Sequence, residues 1–224
     1  MRTPTSSIQW SFNGLLAASL VLLAAGCASS GSKDSKPATA TTTASPAPAA
    51  LASAATPATP APAARPAAGM LPIPVRIIAG STSNVTDDAG NTWIGAGNFF
   101  ADGETIERAG IPIANAGTKE AEIYRSERYS MTKFSYGPIP NGNYNVKLHF
   151  AETYDGITGA GQRVFGFDVV GHSYTNFDVW VKAPGFERAY VETVPVTVNN
   201  QKVDITFTAG TENPQINGIE ILPR

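Results

Sequence analysis

The sequence predicts an all-β fold, an antiparallel β-sandwich with jelly-roll character, and three observations carry that expectation. First, along Asn143–Phe150 the apolar residues Tyr144, Val146, Leu148 and Phe150 alternate with Asn143, Asn145, Lys147 and His149. Successive side chains leave opposite faces of an extended backbone, so a period of two marks a half-buried strand. Second, about eight to ten short apolar runs follow one another after residue 73, separated by Gly- and Pro-rich turn signals, the pattern of sandwiches and jelly rolls. Third, no helical period in that region lasts beyond a turn or two.

In chain order, the first 72 residues differ from the rest. Gly14–Ala25 reads GLLAASLVLLAA, too short to span a bilayer but of the length of a signal-peptide core. The following LLAAGC, Leu22–Cys27, resembles the lipobox of bacterial lipoproteins, with Leu23 one place early and Ala24 in its slot. The resemblance implies a lipoprotein signal peptide over residues 1–26, cleavage before Cys27, and lipidation of that cysteine. Several acyl chains anchor stably, at about 0.8 kcal/mol per buried methylene. Ala28 after the cysteine resembles lipoproteins sorted to the outer membrane, which gives a cell-envelope location. Residues 27–72 are built largely from Ala, Pro, Thr and Ser. Such a segment buries too little apolar surface to offset the entropy of ordering, so it is expected to be a disordered linker. Stiffened by proline at about 3.1 Å per residue, it could hold a domain on the order of 100 Å from its anchor.

Residues 73–224 form the expected folded domain. PVRIIAG opens as a strand, DDAGNTWI as a turn entering a second, and AEIYRSERY and KFSYGPIP as further strands. Asn141-Gly142 is a turn dipeptide before the central strand. NFDVWV, AYVETVPVTV, QKVDITFTA and QINGIEIL supply the later strands. NNQK, between Val198 and Val203, is expected to close a hairpin, because Val194, Val196 and Val198 alternate in step with Val203, Ile205 and Phe207. FFADGETIERAG could hold a short helix. Trp93 and Trp180 are expected as buried anchors, and Tyr124 and Tyr129 as core or sheet-face residues.

Composition excludes several function classes. The net charge of −2 divides into +3 over residues 1–72 and −5 over the remainder. A mildly acidic domain without a Lys/Arg cluster is a poor nucleic-acid binder, since that affinity rests on neutralising phosphates. Cys27 is the single cysteine, so no intramolecular disulfide forms. A domain of roughly 150 residues can instead bury about 70% of its unfolded surface. His149 lies on the polar face of its strand and His172 in a turn, and neither has a nucleophile at motif spacing. DDAGN lacks the alternating ligands and distal glutamate of an EF-hand loop. No metal or other cofactor is expected.

The strongest functional signal is AETYDGITGAGQ, a Gly-rich loop between the central strand and the next, Val164–Val169, with one exposed-looking aromatic, Tyr154. An aromatic on a loop held by two strands suggests a binding surface. The ordered series YRSERY, FSY, NGNYNVKLHFAETY, GQRVFGFDVVG, NFDVW and NPQINGIEI resembles the malectin domain over nearly all of residues 73–224. That resemblance implies a jelly-roll-like sandwich that binds glucose-containing di- or oligosaccharides without catalysis, in a cleft formed by loops at one end. Tyr154 matches the aromatic after the AE of the central loop, and Asp155 takes the place of a second aromatic. Glu212 stands where an aspartate precedes Asn213-Pro214. The remaining cleft aromatic has no clean match, with Phe99 and Phe100 the nearest substitutes. A flat ring, a carboxylate and an amide are the groups a sugar requires, for its C–H face and its hydroxyls. Hydrolysis needs two carboxylates at a set separation, and nothing in the spacing of Glu152, Asp155 and Glu212 fixes one. The expectation is therefore a lipid-anchored, non-enzymatic carbohydrate-binding protein. An envelope scaffold that contacts a protein partner through the sandwich, its sugar cleft degenerate, is the alternative.

Overall fold

A computed structural model describes residues 69–224. The expected signal peptide, the lipidation site Cys27 and most of the linker lie outside the described residues. In chain order the elements are β1 (Val75–Ile78), β2 (Val85–Thr86), β3 (Thr92–Gly95), β4 (Glu104–Glu107), α1 (Ala121–Tyr124), β5 (Ser126–Tyr129), β6 (Lys133–Tyr136) and β7 (Gly142–Phe150). Then come β8 (Phe165–Val169), β9 (His172–Phe177), α2 (Val179–Lys182), β10 (Tyr190–Val198), β11 (Val203–Ala209), β12 (Gln215–Ile216) and β13 (Gly218–Pro223).

These strands build a six-stranded sheet, β10-β7-β13-β1-β3-β2, a four-stranded sheet, β6-β11-β8-β9, and a small β12-β5-β4 sheet. Pairing is antiparallel except between β1 and β3. One core joins the two larger sheets. Val146, Leu148, Phe150, Val194, Val196, Ile219 and Ile221 from the first meet Phe134, Phe165, Phe167, Val169, Ile205 and Phe207 from the second. Each such side chain contributes about 1.5–3 kcal/mol when fully buried, which makes this layer the main support of the fold. The architecture is the expected β-sandwich. Packing starts slightly before residue 73, because Leu71 donates its amide to the Pro138 carbonyl at 2.7 Å and Tyr136 donates to that of Pro72.

Several local expectations are corrected. NNQK closes no hairpin: β10 pairs with β7, whereas β11 pairs with β6 and β8 in the other sheet. The matching valines meet across the core instead of along a ladder. The turn crosses from sheet to sheet and docks on the preceding corner, where Ile139 donates to the Gln201 carbonyl and the Gln201 amide to Asn141 Oδ1, each at 2.8 Å. β7 and β8 are likewise in opposite sheets, so the loop between them spans the sandwich edge. FFADGETIERAG contributes strand β4 in place of a helix, paired with β5 from Glu104↔Tyr129 to Glu107↔Ser126. AEIY and VWVK form the short helical turns α1 and α2.

His149 is not on a solvated face. A second apolar cluster, including Ile78, Trp93, Ile123 and Tyr124, covers that end of the six-stranded sheet. There His149 sits in polar company: its Nδ1 is 2.8 Å from the Tyr124 hydroxyl and its Nε2 is 3.0 Å from Glu220 Oε1. Trp93 is buried as expected, its indole NH donating to Asp87, whose carboxylate also caps the DDAGN turn. Trp180 is only half-buried.

Candidate functional site

The registers place Phe150, the start of β8, the start of β10 and the end of β11 at one end of the sandwich. At that end the 151–164 loop, the 210–214 loop and the segment following β4 surround a cavity of about 310 Å3. Its lining is Ile106, Arg108, Tyr129, Tyr154, Arg163, Glu212 and Asn213.

Tyr154 begins a tight turn closed by the amide of Ile157, which donates to the Tyr154 carbonyl at 3.0 Å. The ring folds over Gly156, where an added Cβ would lie 2.5 Å from Cε1. It remains 45% exposed, a large value for a tyrosine in a well-packed domain. Glu212 and Asn213 arrive from the far end of the chain. The Asn213 amide donates to Glu212 Oε1 at 2.8 Å, and the Thr211 amide donates to the Val164 carbonyl at 2.9 Å, tying the two loops together.

Beneath the exposed groups lie two ion pairs. Arg163 is 4% exposed, with Nε donating to Glu152 Oε2 at 2.7 Å and Nη1 to the Asn213 carbonyl at 2.8 Å. Its guanidinium lies 6.0 Å from the Tyr154 ring centre. One buried fork thus fixes the aromatic loop and the acidic loop at once. Burial pushes the Glu152 carboxyl above its ordinary range, with Arg163 and the Tyr154 amide pulling it partly back. Arg108 makes the second pair, its Nη1 3.2 Å from Glu127 Oε1 and donating to Thr153 Oγ1 at 3.1 Å. The Thr153 hydroxyl in turn donates to Glu127 Oε2. Each arginine is matched by a glutamate, so the floor is compensated and Glu212 supplies the surplus charge at the rim.

The groups left free converge on the cavity. The hydroxyls of Tyr129 and Tyr154, the Asn213 side-chain amide and Glu212 Oε2 bond to no other described residue, and all four residues line it. Two aromatics bearing hydroxyls, an amide and a carboxylate oxygen can meet both the C–H face and the hydroxyl belt of a polyol ring.

Tyr154, Glu212 and Asn213 therefore come together. Asp155 does not join them; it faces a neighbouring hollow with Trp180. Phe99 and Phe100 are corrected as cavity residues, since both pack on Phe134 in the main core, Phe99 also against Tyr136. Two adjacent residues that lie alongside β6, Phe100 bridging Phe134, are spent filling the sandwich. The second aromatic is Tyr129, expected as a packing residue, which β4 and β12 hold between them. Arg108 and Arg163 were not anticipated. The signal for Arg163 was a charge directly before the apolar run of β8.

A hollow of similar size, about 320 Å3, lies over β8, β9 and β11. Its surroundings include Gly166, Thr206 and Thr208, while Phe167 is buried and the Tyr174 ring stacks on it. With no free ring to offer, it is the poorer candidate.

Comparison with known proteins adds the following. The malectin domain matches residues 75–219. Malectin-B of Xenopus laevis is 30% identical over 106 residues, which is 44% of this chain and 37% of that protein. Among solved structures, a β-glucuronidase of Bacteroides uniformis matches 68% of this chain and 18% of its own, at 19% identity and a TM-score of 0.58. The ANXUR1 extracellular domain of Arabidopsis thaliana matches 66% of this chain and 47% of its own, at 17% identity and a TM-score of 0.57. The chain thus spans under half the length of each of these proteins, and the structural likenesses show a shared fold.

Proposed function

The chain belongs to the malectin domain family, and from that premise and the cavity's chemistry we propose that it binds carbohydrate, of glucose-type di- or oligosaccharides, without catalysis. The observation that carries this reading is the meeting of Tyr154 with Glu212 and Asn213, 58 and 59 positions away in sequence, around one cavity with Tyr129. Tyr154 supplies an exposed ring for the sugar face. Glu212 and Asn213 accept and donate to hydroxyls, and Arg163 holds the two loops in register without being spent on the ligand.

The proposal extends to where this happens. Lipid on Cys27 anchors the chain in a bacterial cell envelope, at the outer membrane, with residues 28–72 as the tether. The sequence LLAAGC supports that part. Incorporation of a labelled fatty acid that disappears in Cys27→Ser tests it.

A glycan array probed with the full chain tests the binding itself. Gluco-oligosaccharides should be retained, and Tyr154→Ala should lower their affinity about tenfold or more, with the melting temperature nearly unchanged. No retained glycan, together with stable co-purification of a protein, would overturn the reading in favour of a scaffold. Release of free sugar on prolonged incubation would overturn its non-catalytic part.

A further inference from the structure

We propose that the saccharide site has a second compartment, built by Trp180 and Phe186 beside the Tyr154–Asp155 turn, which takes a further unit of a longer sugar chain. The inference rests on the carbohydrate reading above and deepens it. A hollow of about 200 Å3 is lined by Asp155, Ile157, Thr158, Trp180 and Phe186. Tyr154 lines the first cavity and its chain neighbour Asp155 the second, so the two hollows flank the same turn.

The composition is that of a sugar subsite in miniature. Two rings stand beside a carboxylate and a hydroxyl. Their packing sets them apart from the other aromatics of this end. Phe150, Phe165, Phe167 and Phe177 stack on one another in the core. Trp180 and Phe186 contact no other described ring, and both are half-buried. Trp180 sits on the short turn α2, whose buried anchor is Val179, while its neighbour Val181 is 59% exposed.

The hollow is also fixed in place. Asp178 accepts from the Val181 amide at 3.3 Å, capping α2, and from the Gly161 amide at 2.6 Å. The same carboxylate thus ties the Trp180 turn to the 151–164 loop. Next to Phe186, the Glu187 amide donates to the Glu152 carbonyl at 2.8 Å. The backbone segments that carry both rings are therefore tied to the 151–164 loop before any ligand arrives, which lowers the ordering cost of binding.

The test is calorimetric titration of the full chain with maltose and cellobiose and with their three-, four- and five-unit homologues. Wild type should gain about tenfold in affinity between two units and four. Trp180→Ala should bind the disaccharide as wild type does and lose that gain. Phe186→Leu, which keeps apolar bulk, should lose most of it and carries the comparison should Trp180→Ala lower the melting temperature. Quenching of Trp180 fluorescence by the tetrasaccharide but not the disaccharide, absent from Trp180→Phe, gives a readout that a purely structural role would not move. Affinity independent of length in wild type, or the same gain in both variants, overturns the second compartment and leaves the first intact. Loss of disaccharide binding in folded Trp180→Ala overturns their separation. Wild type that binds no homologue of either series overturns both readings.

Discussion

Removing Arg163 tests the architecture of the site most directly. In Arg163→Met the flexible apolar side chain approximates the volume, and the Glu152 carboxylate loses its 2.7 Å partner while remaining 1% exposed. Breaking a buried pair from one side costs about 3–5 kcal/mol, since the remaining charge is left uncompensated. For a domain of this size each kcal/mol lowers the melting temperature by about 2–4 °C, so the fall should be about 6–20 °C. Thermal and urea unfolding followed by circular dichroism measure it. The companion variant Glu152→Gln/Arg163→Met removes both charges and should recover part of the loss, with a coupling energy of about 2 kcal/mol or more in the four-protein cycle. The Asn213 carbonyl loses its donor in both variants, so neither should regain full glycan affinity. A fall under about 3 °C in Arg163→Met, or strictly additive single and double variants, would refute the view that this pair braces the 151–164 loop, from which Arg163 reaches Asn213.

Gly156→Ala places a methyl against the Tyr154 ring, so affinity should fall several-fold with little change in melting temperature; unchanged affinity would show that the ring's pose is irrelevant. Gly80→Ala puts a Cβ on the backbone of Glu127, where no side chain can swing aside. Overpacking of this kind costs about 1–3 kcal/mol, read as a fall of about 2–12 °C, and a neutral result would contradict the close approach of the turn after β1 to β5. Burial pushes the Glu220 carboxyl up, but the hydrogen bond and charge of His149, with Lys147 and Arg76, hold it below the ordinary 4.5. Its folded form therefore releases the proton more readily than the unfolded chain. That contribution is present above pH 4.5 and lost as pH falls through the lower folded value. The stability gap between wild type and Glu220→Gln should shrink over that acid window, and a gap that widens there contradicts the sign.

The strands were legible because period two reports which face is buried, and β7 shows it from Asn143 to Leu148. Pairing was not legible. Val194, Val196 and Val198 look the same from the sequence whether Val203, Ile205 and Phe207 lie beside them on a ladder or opposite them across a core. His149 was misplaced for a related reason: alternation assigns it to the polar face, and only the second apolar cluster reveals that this end of the face is covered. In the site, the ordered motifs pointed to Tyr154, Glu212 and Asn213, but nothing in the local pattern could exchange Phe99 and Phe100 for Tyr129. That choice depends on β5 being held between β4 and β12, partners 86 positions apart at Gln215↔Tyr129. The arginines escaped notice because Arg163 finds Glu152 eleven positions away on a loop with no repeating geometry.

The pairing of these charges also sets how tightly the cavity can bind. Arg108 and Arg163 are already matched by Glu127 and Glu152, so a ligand meets no uncompensated cation on the floor. Besides the face of the Tyr154 ring, it can gain from the free hydroxyls, the amide and one carboxylate oxygen. Four such groups at about 0.5–1.5 kcal/mol net give about 2–6 kcal/mol, which brackets the 4.1 kcal/mol of a millimolar constant. A preformed cavity holds the ordering cost down but cannot raise this ceiling. The proposed second compartment would add the ring contacts of Trp180 and Phe186, on the other side of the Tyr154–Asp155 turn. On the proposed reading, ligand length, more than any single contact in the first cavity, is the variable by which this protein would distinguish one glycan from another.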